Sequence, residues 1–273
     1  MHKFFILVCL LGTTSVHAEI RVVSKISAAH GIKEWSSNIG DTGTHEQPYT
    51  ECAELEELDH TFLCASYEQV DMNRAMIRAS IFVEGDFGVA KGEVIKSDSP
   101  IIEAGLIRVG GHDLTSVDLM QFYTSAIKKC ETDSSFCLNE LEKEFYRDFF
   151  LPELAKRSQF VVITFAVNSR MSWDTVVSHE LQHANYFLRP LYRETVNQFW
   201  EQQVADSDKN EIRNILSVTY DVTNDFLLKN EFQAYLVQSN PEESWLAPWV
   251  KEYRGPLMEA LSRVEYNPVQ IEL

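Results

Sequence analysis

Phe160 to Val167 reads FVVITFAV, an uncharged run of strand length, and such a run fits a strand covered on both faces. From Asp174 onward the pattern is helical. Helices are expected near 174–188, 190–204, 207–220 and 224–238, punctuated by Pro190, Ser207 and Asn224 and ended before Pro241, with a short helical cover after it. Upstream, Ser116 to Cys130 and Phe136 to Leu151 carry apolar residues at helical spacing, and Pro152 is expected to end the second. Arg78 to Val109 alternates Ile/Phe/Val runs with Gly85, Gly88, Gly92, Gly105 and Gly110, which suits a small antiparallel sheet. Glu51 to Tyr67 reads as helix, and Glu19 to Thr50 as mostly irregular after a short strand near Ile20 to Val23. The expected fold class is α+β, a small antiparallel sheet packed on a helix, with a mainly helical C-terminal half.

With 45% apolar residues over 273 positions, the chain is neither disordered nor a small cysteine-stapled scaffold. His2 and Lys3, the apolar run Phe4 to Leu11 and the small-residue site Val16-His17-Ala18 form a secretory leader, so the mature chain is expected to span 19–273 as one domain. The run is too short for a stable membrane anchor, and a secreted or periplasmic location follows. Four cysteines then remain, Cys52, Cys64, Cys130 and Cys137. In an exported chain they read as disulfides, with Cys52 to Cys64 and Cys130 to Cys137 the natural pairings among three because each closes a short loop. The net charge of −17 excludes a nucleic-acid surface. Oligomeric state is not legible.

The chemistry is concentrated in His179-Glu180-Leu181-Gln182-His183, an HExxH sequence. Two imidazoles at i and i+4 of a helix lie about 40° apart around its axis, so both can reach one metal ion. Val177, Leu181, Ala184 and Leu188 form a core-facing stripe on the opposite side, which supplies the helix the geometry needs. A catalytic zinc usually takes a third protein ligand. The HExxHxxGxxH continuation fails, because Tyr186 and Arg189 stand at its Gly and His positions. Glu231, 48 residues after His183, is the leading alternative: Leu227, Leu228, Ala234 and Tyr235 lie within about 60° of it, and a carboxylate centred on an apolar face needs a partner. An ion pair with Arg189, Arg193 or Arg213 is the competing account, and Asp206, Asp221, Asp225 and Glu194 are rival ligands better explained by capping or solvation.

His179-Glu180-x-x-His183 with a glutamate on a later helix resembles the gluzincin zinc peptidases, especially the compact minigluzincins, over about Val161 to Gln238. The resemblance implies a zincin-like metallopeptidase domain, with one zinc held by His179, His183 and Glu231 and Glu180 as general base. It also implies a peptide or protein substrate, cell-wall peptide included. The chain departs from the thermolysin-like pattern at Tyr235, where an Asp often orients a zinc-bound His. Tyr235, Tyr220 and His112 are candidate oxyanion donors. A cell-wall amidase would need the same parts, and a non-catalytic zinc-containing binding or inhibitory domain is the reading from another class. Glu180 separates them, because a structural two-His site has no need of a carboxylate there.

Overall fold

The computed structural model describes residues 19–22, 25–27, 31–41, 49–85, 87–106, 109–169 and 172–264, and the leader expected at 1–18 lies outside them. Five strands, β1 (Glu19–Val22), β2 (Tyr49–Glu54), β3 (Thr61–Glu68), β4 (Gly111–Thr115) and β5 (Val161–Asn168), form one sheet in the order β1-β2-β3-β5-β4. The sheet is mixed and not antiparallel as expected. β1 runs parallel to β2 and β3 to β5, while β2–β3 and β4–β5 are antiparallel. The fold class is α+β, and strands from both halves of the chain share the sheet.

The helices are α1 (Ile32–Asp41), α2 (Gln69–Glu84), α3 (Pro100–Gly105), α4 (Ser116–Cys130), α5 (Glu140–Glu144) and α6 (Leu151–Lys156). They continue with α7 (Trp173–Leu188), α8 (Pro190–Gln203), α9 (Asp206–Leu216), α10 (Asp225–Val237), α11 (Ala247–Trp249) and α12 (Gly255–Ser262). β5 is covered on both faces, as its composition requires. Val161, Ile163 and Phe165 pack with α7 and α1, whereas Val162 packs with α2 and α4 on the other side. On α7, Val177, Leu181 and Ala184 are buried against the sheet with Leu188 packed beside them. A separate core joins α8, α9, α10 and α12 around Trp200, Phe232 and Leu257, so the C-terminal half is a helical layer carried by α7 and α10. No helix among the described residues is long and apolar enough to cross a membrane.

Four further expectations are overturned. Glu51 to Tyr67 holds β2 and β3 and not a helix, because in-register pairing places Cys52 opposite Cys64, where a disulfide joins them in the sheet. Tertiary pairing there outweighs the helix-forming Glu, Ala and Leu side chains. Among the described residues, Arg78 to Val109 contains no strand. α2 runs through Ile81 to Glu84 and is stopped by Gly85, whose φ of 77° is left-handed and whose N–H donates to Ile81 O. Because α2 is enclosed by sheet and helices, its apolar residues lose the one-sided pattern that marks a surface helix. α1 falls in the stretch read as irregular, with Ile32, Trp35 and Ile39 buried on one face. Pro152 also does not end its helix: a π-helical turn at Phe145–Phe150 precedes it, and α6 continues through it. The second disulfide joins Cys130 and Cys137, so both expected pairings are present.

Candidate metal centre

α7 lies against β5 and beneath the edge strand β4, and α10 packs across it. This crossing brings Glu231 to the histidine face of α7. His179 Nε2 and His183 Nε2 are 3.1 Å apart, Glu231 Oε2 is 3.5 Å from the former, and Glu231 Oε1 is 3.5 Å from the latter. These separations resemble the edge of a zinc tetrahedron, about 3.3 to 3.4 Å for bonds of about 2.0 to 2.1 Å. Glu231 Oε2 is buried without a hydrogen-bond partner, as is His183 Nδ1. Among the described residues no Lys or Arg pairs with Glu231. Arg189 donates to Glu57 O, Arg193 to Tyr186 O and Phe187 O, and Arg213 to Val222 O, so the ion-pair account has no partner. The rival carboxylates lie elsewhere: Asp206 pairs with Lys209, Asp225 with Lys229, Asp221 accepts from Thr223 N, and Glu194 accepts from Gln198.

The supports of the histidines come from the end of α10. Gln238 Oε1 lies 2.7 Å from His179 Nδ1, so Nδ1 donates and Nε2 keeps its lone pair for a ligand role. Ser239 N donates to Ser178 Oγ one residue before, tying the same corner to α7. Tyr235, standing where an orienting Asp was considered, instead lays its ring beside His179 with centroids 4.5 Å apart. Its hydroxyl is 3.0 Å from that of Tyr220. Burial raises both phenols, and the Glu231 charge adds to it, so both stay protonated and able to donate. His112 is not part of this centre. It faces the opposite side of the sheet between Ser80 and Asn73, each 2.7 Å away, and burial lowers its pKa to about 3.

Glu180 sits on the flank of α7 under β4. Burial is the foremost reason its pKa is raised to about 7; the charge of Glu231 adds to this, while His179 and a hydrogen bond with Asp113 oppose it. Asp113, on β4, completes a second cluster with Glu180 and His183 whose candidate ligand atoms all lie within 4.8 Å of one another. Burial and the charges of Glu180, Glu84 and Glu231 push Asp113 well above the ordinary carboxylate range. Burial also works against Glu231, yet His183, His179 and Tyr220 overcome it and hold its carboxyl low. Burial brings His183 down to about 4, so it is neutral near pH 7, as ligation requires.

Asp113, Gln238 and Gly111 were not singled out as site residues from the sequence. Gly111 is required because β4 presses on α7: a Cβ there would stand 2.6 Å from Val176 Cγ1, 2.9 Å from Glu180 Oε1 and 3.0 Å from Thr164 O. The Gly110-Gly111 pair was the available signal for this close approach, whereas nothing local marks Asp113 or Gln238. Comparison with known proteins finds no matching family model, no similar curated protein and no matching solved structure.

Proposed function

We propose that the protein is an exported zinc metallopeptidase of gluzincin type that hydrolyses peptide bonds. The observation that carries this reading is the convergence of His179, His183 and Glu231 beside Glu180, a largely buried cluster in which no Lys or Arg pairs with Glu231 among the described residues. A divalent cation would answer the Glu231 charge, and the buried Glu231 Oε2 would be among its ligands. His179, His183 and Glu231 would hold the ion, which when bound supplies the Lewis acidity that polarises a carbonyl and eases ionisation of water.

Glu180 does the proton work. Its carboxylate takes a proton from the attacking water and returns it to the leaving amine, and a pKa raised toward neutrality suits both steps. Gly111 lets β4 close over this carboxylate, and Gln238 holds the His179 ring in one tautomer. The Tyr220 and Tyr235 hydroxyls supply protonated donors for developing negative charge. A cell-wall amidase would use the same parts and is distinguished by substrate alone. The two disulfides accord with export.

The test is elemental analysis of the purified protein beside a screen of peptide and cell-wall substrates. One zinc per chain is expected, lost or strongly weakened in Glu231→Ala. Glu180→Gln should retain the metal and lose turnover. Full activity in Glu180→Gln would overturn the mechanism, and a folded chain that takes up no zinc would overturn the metal centre.

A further inference from the structure

β4 is the edge strand over α7, and successive side chains along it face opposite ways. His112 and Leu114 face away from α7. The His112 ring sits between Ser80 and Asn73 of α2, and Leu114 is buried in the core that α2 and α4 share. Gly111 and Asp113 therefore share the other face. A Cβ on Gly111 would stand 2.6 Å from Val176 Cγ1 and 2.9 Å from Glu180 Oε1, so this face looks directly onto α7. Asp113, two residues on, meets Glu180 in a hydrogen bond between the two carboxyl groups. An oxygen of each lies within 4.8 Å of the other and of a His183 nitrogen.

Two carboxyl groups in contact are held together by a proton between them, because two full negative charges would repel. We infer that Asp113 is a positioning residue for Glu180, donating its O–H to the Glu180 carboxylate and leaving the other lone pairs of that carboxylate for the attacking water. Resting on the peptidase reading, this role adds a residue that acts on the reaction only through the base. A glutamate side chain has three rotatable bonds, and a base must be held close to one geometry to be effective, so a donor fixed on another element supplies what α7 alone does not. Asp113 is itself fixed. Its neighbours His112 and Leu114 are anchored on the far side of the sheet, and β4 is paired with β5 on both sides of it in sequence. Burial and the charges of nearby carboxylates raise Asp113 well above the ordinary carboxylate range, in agreement with its being the donor.

The test compares Asp113→Asn, whose amide N–H can donate in the same place, with Asp113→Ala and Asp113→Val, which cannot, all supplied with zinc. Either of the last two serves if the other does not fold. The variant without a donor should lose about 10- to 100-fold in kcat with KM and zinc content unchanged, and Asp113→Asn should recover most of that rate. A merely structural side chain would lower the melting temperature without producing this order of rates. Crystal structures of the zinc-supplied wild-type and donor-less proteins give a readout that needs no turnover. Glu180 should keep one rotamer against Asp113 in the first and turn away or occupy several in the second. Wild-type kcat without the donor, Asp113→Asn no faster than Asp113→Ala, or an unmoved Glu180 would overturn the assignment. Loss of zinc from Asp113→Asn would overturn it too, because Asp113 would then be a ligand. A Glu180 that depends on Asp113 for its placement, in a protein that cleaves no peptide, upholds the positioning and counts against the peptidase reading alone.

Discussion

Gly111→Ala tests the link between strand packing and Glu180, the proposed general base. The new methyl would fall 2.6 Å from Val176 Cγ1, 2.9 Å from Glu180 Oε1 and 3.0 Å from Thr164 O. Thr164 belongs to β5 and its carbonyl is fixed by the pairing with β3 and β4, and Val176 is packed at 4% exposure. Neither can retreat freely, so β4 lifts or Glu180 turns away. Overpacking of this kind costs about 1 to 3 kcal/mol, and at about 2 to 4 °C per kcal/mol for a chain of this size the melting temperature should fall by about 2 to 12 °C. The ligand side chains make none of these close contacts, so zinc content should be unchanged while turnover falls by about tenfold to a hundredfold through displacement of Glu180. Thermal melts followed by circular dichroism, elemental analysis and peptide hydrolysis read the three effects separately. Gly255→Ala, where an added Cβ meets nothing within 4 Å, is the control and should be neutral. A Gly111→Ala protein with wild-type melting temperature and wild-type rate would refute the reasoning.

Gln238→Ala should weaken zinc affinity by about 10- to 100-fold in a chelator competition titration, because His179 loses the partner that fixes its ring, and Gln238→Glu should restore much of it. Arg78 is fully buried, donating to Ile95 O and Phe136 O and pairing with Glu142 at 2.6 Å; Arg78→Ala leaves that carboxylate uncompensated and should cost about 3 to 5 kcal/mol in urea unfolding, more than Arg78→Met with Glu142→Leu. His112 is held near 3 by burial, below its unfolded value, so the unfolded chain binds the extra proton first and stability falls as pH drops from about 6.5 toward 3. Urea midpoints across that range should show a shallower acid loss in His112→Gln, and an unchanged slope would exclude His112 as its source.

The parts of the fold legible in the sequence are those set by neighbours along the chain. FVVITFAV identifies a strand buried on two faces from composition alone, and the Val177, Leu181 and Ala184 stripe sets the phase of α7 and thereby puts both histidines on one side. α4 runs over the expected Ser116–Cys130, and α7 to α10 fall close to their expected bounds, because each has local punctuation at its ends. Glu231 was also legible, as a carboxylate on an apolar face with no local partner.

What failed was decided by contacts distant in sequence. Glu51 to Tyr67 carries helix-forming side chains, yet β3 gains its partners from β5 about a hundred residues later, and that pairing decides its conformation. α2 is covered on several sides, so its residues alternate in no recognisable period. In the site, the sequence by itself determined that the two histidines share one face and singled out Glu180 as the candidate base and Glu231 as the candidate third ligand, since helical geometry relates i to i+4 and burial isolates a carboxylate. Only the tertiary structure decided that Asp113 would meet Glu180 and that Gln238 would hold His179. Those contacts arise where β4 crosses α7 and where α10 ends, and side-chain spacing along one element carries no information about where another element crosses it.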